Sequence, residues 1–408
     1  MKYFHTLSHC NLKKRTTKHS IGSLLALVAA FVLPELPNSI HPVAVFGKLM
    51  QRLEDNIYPH EENADPVKDK IYLATEETHS DRSKPLGDWR KTARSYEKVA
   101  ALAGMMQVGC LHVTGHVRDP AKNTSHLDYP SHGSLKYLGI AYNLVGTLSS
   151  AALGYLIDNI SSLGGTVLSL EVAAGPNALY KIASEISHEL ENGDIDQARK
   201  KVGALVSRDT ASLQADDILR ASIESVAENT VDAITAPLLY AIIGGPAGVL
   251  TYRAINTLDA MVGYRNNRYG EFGWFSARLD DIANWLPARI TVIAVALTRP
   301  LMSIDIIRQA NLQGSKHPSP NAGRVEAAFA YTLGIKLGGV NSYHGKTMER
   351  PVVGGGNEPN ELDVDRVIRL SRIASIISAF LIIVGVAALS CLRSCRHNED
   401  YRDTNDRF

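Results

Sequence analysis

The chain has 408 residues, 45% of them hydrophobic, and its 43 basic residues nearly balance 42 acidic ones, leaving a formal net charge of +1. No basic run interleaves with aromatics, which excludes a nucleic-acid surface, while the apolar content suffices for a large core or several membrane segments. The cysteines Cys10, Cys110, Cys391 and Cys395 are too scattered for a disulfide framework and suit a reducing compartment.

In chain order, Lys13, Lys14, Arg15 and Lys18 precede a short apolar run from Ile21 to Leu33. Its layout fits an anchor or half-span as well as a cleaved signal. From Asp55 to Lys98 the composition turns polar and charged and reads as a solvated insertion. Two apolar stretches, Val99 to Val113 and Leu135 to Ile157, then predict a helical hairpin. Asn177 to Val206 is amphipathic, with Leu179, Ile182, Ala183 and Ile186 at helical spacing and Gly193-Asp194 as a stop and fresh cap.

Ala233 to Leu250 is apolar but broken by Gly244-Gly245-Pro246, which predicts a re-entrant hairpin rather than a straight helix. Ile373 to Leu392 carries no charge over a length that matches the bilayer core, and it predicts a spanning helix. Arginines flank it on both sides, so charge does not orient it. Cys391 and Cys395 are read as thiols at its end, because no further metal ligand lies nearby.

Chemistry concentrates between Ser207 and Arg289. In RASIESVAENTVDAITAP, Arg220, Glu224, Glu228 and Asp232 recur at four-residue spacing and share one helical face. A solvated stripe is the plain explanation, but two adjacent like-charged pairs run into an apolar segment, and a bound cation or ammonium group would relieve their repulsion. Asn256, Asp259 and Tyr264 follow, then Arg278, Asp280, Asp281, Asn284 and Arg289. Asp281, Trp285 and Arg289 share a face, whereas the adjacent Asp280 points elsewhere; such carboxylates with nearby arginines fit magnesium and phosphate handling. In HPSPNAGRVEAAFAYTLG, Pro318 and Pro320 bar a preceding helix and Asn321 is the expected cap of the next one, which is either an ordinary helix start or an anion site. Gly339 to Thr347 approaches a phosphate-binding loop, but its glycine spacing is one residue too long and Pro351 stops the helix such a loop must open.

The segments SRDTASL, RASIESVAEN, NTLDAMVGY, SARLDDIANWLPARIT and SPNAG, with HPV at His41 to Val43 and the late LGG at Leu337 to Gly339, together resemble the CobD/CbiB family, adenosylcobinamide-phosphate synthase of cobalamin biosynthesis. One departure is Pro34-Glu35-Leu36 where that family carries Gly-Asp-Pro. The resemblance implies ATP-dependent amide formation between a propionate of adenosylcobyric acid and (R)-1-amino-2-propanol or its phosphate, with ATP and magnesium as cofactors. It implies a catalytic set of Glu224, Glu228, Asn229, Asp232 and Asp259. Arg208, Asp209, Asn256, Arg278, Ser319 and Asn321 would bind substrate or phosphate, and Asp280 and Asp281 would hold magnesium. A corrinoid transporter or binder of the same fold is the competing expectation, because intramembrane acids also serve transport.

The expected fold is all-α, a multi-pass cell-membrane protein with re-entrant elements and cytoplasmic active-site loops. Its neighbours would be lipid and other membrane-bound late cobalamin enzymes. The expected divisions are an N-terminal anchor (1–50), polar insertion (51–98), membrane hairpin (99–157), helical catalytic region (158–300), glycine-rich region (301–372), spanning helix (373–392) and polar tail (393–408).

Overall fold

A computed structural model describes residues 41–58, 132–206, 208–266, 268–343 and 346–405. The Ile21 to Leu33 run, the Val99 to Val113 arm and most of the polar insertion lie outside these residues. Helix α1 (Pro42–Ile57) starts on the HPV motif, where His41 Nδ1 accepts from the Val43 amide at 3.3 Å and a proline occupies the first turn. It runs through residue 50, so the expected division there falls inside a helix. Buried Glu54 ties α1 to the 263–273 loop, accepting from Arg268 at 3.1 Å and from the Tyr269 hydroxyl at 2.8 Å.

Helix α2 (His132–Ile160) contains the expected Leu135 to Ile157 span, and α3 (Ser162–Ala173) follows after a serine cap. The amphipathic stretch forms α4 (Pro176–Glu191) and α5 (Ile195–Val202). The Asp194 carboxylate accepts from the Gln197 amide at 3.0 Å, which is the fresh cap that the sequence predicts.

Helix α6 (Ala215–Thr230) passes through a π-helical turn, Val231–Thr235, into α7 (Ala236–Val262). At Gly245 the backbone has φ 57° and ψ −146°, a conformation open to glycine, and Pro246 starts the returning arm. The reversal is sharp. Asp232 and Asn256 would stand about 36 Å apart on a straight helix, yet their side chains bond at 3.1 Å, and the Tyr240 and Tyr252 rings stack at 5.0 Å. The predicted hairpin is therefore present, and both its arms end on the same side.

Helices α8 (Trp274–Ala283), α9 (Trp285–Leu297), α10 (Ser303–Gly314) and α11 (Ala322–Leu333) follow, and the chain bends by 119° between α9 and Pro300–Gly314. Next comes an antiparallel β-hairpin, β1 (Lys336–Tyr343) and β2 (Lys346–Gly354), which corrects the all-α expectation. Interrupting glycines and Pro351 hide its alternation in the sequence. The segment that approaches a phosphate loop is strand on both sides of residues 344–345, and it opens no helix. The last helix, α12 (Glu361–Asn405), embeds the expected Ile373 to Leu392 span.

The main core joins α6, α9, α11, α12 and the hairpin through Ile223, Val226, Val295, Phe329, Leu337 and Val364, all at most 1% exposed. Such burial of aliphatic and aromatic side chains is the dominant favourable contribution to the fold. Ser134–Ile160, Ala215–Val262 and Glu361–Leu389 are long and apolar enough to cross a membrane, and the bent α9–α10 pair passes the same test as one broken unit. The chain is mostly helical, as the sequence predicts.

Candidate functional site

The α6–α7 hairpin brings the acids together at its open end. Asn256 on the returning arm donates to Asp232 at 3.1 Å and to Asp280 of α8 at 3.4 Å, so one amide bridges two carboxylates. Asn284 donates to both oxygens of Asp280, at 3.2 and 3.1 Å, and accepts from the buried Tyr252 hydroxyl at 2.9 Å. Arg253 donates to Asn256 at 3.2 Å and supplies positive charge beside Asp232. The π turn, a feature frequent at functional sites, breaks the four-residue stripe at Asp232 and turns that carboxyl toward the returning arm.

Asp259 lies within electrostatic reach of Asp280, Asp281 and Glu228. Its carboxyl rests on Gly263, where a Cβ would fall 1.9 Å from Oδ1, so the glycine of NTLDAMVGY is a close-approach residue. Glu228 is exposed beside these acids, so the cluster opens to the surface at its side chain, and this opening is the pit. Burial pushes the Asp280 carboxyl up to about 6, its two asparagine donors pull it back, and Glu228 and Asp281 raise it further.

Not every expected residue faces this pit. The Glu224 carboxylate is consumed by protein donors: Arg208 binds Oε2 at 3.0 Å and the Gly338 amide binds Oε1 at 2.8 Å. The Arg208 and Glu224 side chains are 3% and 6% exposed, so they form a buried ion pair. Asp209 follows in the same loop, half-buried. Asn229 donates to the Ser225 carbonyl at 2.9 Å, within its own helix. Arg220 pairs with Asp217 at 2.6 Å and also reaches the Val340 carbonyl at 3.3 Å.

The adjacent carboxylates Asp280 and Asp281 diverge. Asp281 turns to Arg278, 3.6 Å away with its side chain 59% exposed, so Arg278 stands at the surface. Asn321 does not cap α11 with its side chain, which corrects the expected cap. It accepts from Arg289 at 2.6 Å and donates to the Asp281 carbonyl at 2.8 Å, locking α11 to α8 and α9. Ser319 Oγ provides the cap, accepting from the Ala322 amide at 3.2 Å.

The sequence reading missed Glu326, Arg350 and the side-chain role of His317. Glu326 is a lone carboxyl in an otherwise small and apolar stretch of α11, and a buried charge without an evident partner is the signal that was there to find. Arg350, from β2, acts electrostatically on Glu228, Glu326 and His317, so the β-hairpin supplies positive charge to the pit.

Among the described residues, no group of three or more His, Cys, Asp or Glu side chains is arranged to hold a metal ion. The oxygen donors of Asp232 and Asp280, held either side of Asn256, do fit a magnesium ion that arrives on phosphates, because such an ion takes one or two carboxylates with phosphate and water.

Comparison with known proteins gives a consistent match. The sequence model of the family described as CobD/Cbib protein matches residues 110–371. The Cobalamin biosynthesis protein CobD of Mycobacterium tuberculosis (strain CDC 1551 / Oshkosh) is 41% identical over 253 residues, 61% of this chain and 80% of its own length. The protein of that name from Halalkalibacterium halodurans is 40% identical over 251 residues, 59% of this chain and 79% of its own. The one from Listeria monocytogenes serotype 4b is 42% identical over 231 residues, 56% and 71%. No solved structure matches the chain.

Proposed function

The chain belongs to the CobD/CbiB family, and from that premise we propose that it acts in cobalamin biosynthesis by joining an aminopropanol arm to a corrinoid carboxylate at the expense of ATP. A carboxylate does not accept an amine unaided. Phosphoryl transfer from ATP converts it to an acyl phosphate, the amine attacks the carbonyl carbon, and inorganic phosphate leaves. Asp232 and Asp280 would hold ATP-borne magnesium, which neutralises phosphate charge when bound. Glu228 faces the ammonium of the amine, and Arg350 offers charge to the phosphate of a phosphorylated amine.

The observation that carries this reading is the convergence of Glu228, Asp232, Asp259 and Asp280 on one pit at the open end of the hairpin. Asp232 lies 13 residues from Gly245, hence about 20 Å from the hairpin tip. A transporter would place its acids at helix breaks near the membrane midplane, not at the end next to the connecting loops. ATP-dependent conversion of adenosylcobyric acid and aminopropanol or its phosphate to an adenosylcobinamide product by the purified protein tests the reading. Absence of any amide product refutes it.

The same reading sets the topology. On this reading the α6–α7 reversal and the 119° bend between α9 and Pro300–Gly314 are both re-entrant, which would put the loops before α6, after α7 and before α11 on one face. We place that face in the cytoplasm, where ATP is available, with α12 crossing outward. In a variant with its four native cysteines replaced by serine, a cysteine engineered at Asp194 is expected to resist an impermeant thiol reagent in intact cells and to react after permeabilisation. Labelling in intact cells would defeat both the topology and the use of cytoplasmic ATP.

A further inference from the structure

Beside the aspartate cluster lies a pair of buried polar groups that the protein leaves unmatched. The side chains of His317 and Glu326 are 5% and 3% exposed, and His317 Nε2 stands 3.9 Å from Glu326 Oε2, too far for a hydrogen bond. His317 Nδ1 lies 3.1 Å from the Ser319 amide and 3.3 Å from the Ser319 carbonyl; we assign it as acceptor of the shorter contact, with the ring proton of the neutral imidazole on Nε2. That N–H is buried without an acceptor. Among the described residues, no hydrogen bond reaches the Glu326 carboxyl. Native proteins pair nearly all such groups, and a polar group between His317 Nε2 and the Glu326 carboxyl, 3.9 Å apart, would satisfy both.

The surroundings define the ligand's charge. Glu326 is faced by Glu224 and Glu228 from α6, by Arg350 from β2, by Arg208 from the loop before α6, and by His317. Arg208 is bonded to Glu224, and Arg350 acts electrostatically on both Glu228 and Glu326. Two carboxyls beside one arginine suit an ammonium whose chain carries an oxygen or a phosphate at its other end.

We propose, on the ligase reading above, that Glu326 is the catalytic base that deprotonates the substrate ammonium, that Glu228 holds that ammonium, and that His317 is a positioning residue whose Nε2–H orients the Glu326 carboxylate. The step balances. The ammonium gives one proton to Glu326, its freed lone pair forms the C–N bond to the acyl phosphate, the C–O bond to the phosphoryl group breaks, and phosphate leaves with that electron pair. The second proton lost from nitrogen goes to the phosphate.

The electrostatics support the role. Burial, then Glu224 and Glu228, push the Glu326 carboxyl well above the usual range, against the opposing pull of Arg350 and Arg208. A strengthened base takes a proton from an ammonium more readily. Burial, then Arg350, push the His317 imidazole down to about 4, so it is neutral at physiological pH and donates rather than carrying charge. The carboxyl with a raised titration point accepts a proton only when ionised, so turnover with the alkylamine rises with pH.

Hydroxylamine separates this step from carboxyl activation, because it is uncharged at neutral pH and attacks an acyl phosphate without a base. Full-length wild type and Glu326→Gln are given ATP, magnesium and adenosylcobyric acid, with either aminopropanol or its phosphate, or hydroxylamine. The amide-to-hydroxamate ratio is expected to fall ~100-fold or more in Glu326→Gln, in line with the usual contribution of a general base. Glu326→Asp, which keeps a carboxylate, is expected to recover part of the ratio and the rise with pH, and it decides the matter if the glutamine variant does not fold. His317→Gln is expected to lower amide formation more than hydroxamate formation. Parallel loss of both products in folded Glu326→Gln, or an unchanged ratio, overturns the assignment. A wild type that forms neither product refutes the ligase reading itself, and this proposal with it.

Discussion

Glu228→Gln is expected to lower amide formation at least ~100-fold while leaving the protein inserted and its thermal midpoint unchanged or higher. The activity loss follows from position: Glu228 is exposed in the pit, within reach of Asp280, Asp259 and Glu326, and it is the carboxylate best placed to meet an incoming ammonium. Removal of charge with retention of shape takes away an interaction that strengthens as the amine is positioned for attack. The stability side follows from partners. Among the described residues no hydrogen bond reaches Glu228, and burial, with Glu224 beside it, outweighs the attraction of Arg350, so the charge is held at a cost. Residues kept for function at the expense of stability behave in this way. Product formation and a melting curve, measured on the same detergent-solubilised sample, check both halves. Near-normal turnover would return the stripe to an ordinary surface feature.

The second large effect is on stability. Arg208→Met is expected to destabilise the protein by about 3–5 kcal/mol, the usual cost of stripping one partner from a buried ion pair. Arg208 and Glu224 are 3.0 Å apart and almost fully buried, so the substitution leaves a carboxylate in the core with the Gly338 amide at 2.8 Å and the more distant Arg220, 4.0 Å away, as its partners. The double variant Arg208→Met with Glu224→Gln is expected to recover most of the loss, because the glutamine oxygen still accepts from Gly338 and no charge remains stranded. Denaturant or thermal unfolding in detergent compares the two. A single-variant loss below about 1 kcal/mol would mean that the pair is solvated and free for ligand.

The charged stripe divides by partner. The four-residue spacing of Arg220, Glu224, Glu228 and Asp232 places them on one face, but their partners differ. Glu224 is held by Arg208 and the β-hairpin, Asp232 by Asn256 across the helical reversal, and Glu228 faces the opening. Spacing along a helix does not distinguish a structural carboxylate from a functional one.

Much of the architecture was nonetheless legible in the sequence. The Asp194 cap, the Gly244-Gly245-Pro246 reversal and the long apolar helices α2 and α12 each depend on signals within a few residues: a carboxylate beside free amides, a backbone conformation open to glycine, and uncharged length. The motif set SRDTASL to SPNAG pointed to the family that the comparison supports. The β-hairpin was not legible, because Gly338, Gly339 and Pro351 interrupt its alternation and register depends on pairing between strands.

What only the tertiary structure decided is the partner of each buried charge. Glu224 bonds to Gly338, 114 residues away, Asp280 turns inward to Asn256 and Asn284 while Asp281 turns to surface Arg278, and Glu326, His317 and Arg350 come within electrostatic reach of one another. The physical reason is range. Periodicity, caps and turns are set by neighbours in sequence, whereas a buried charge is settled by whichever donor, acceptor or cation the packed helices bring beside it.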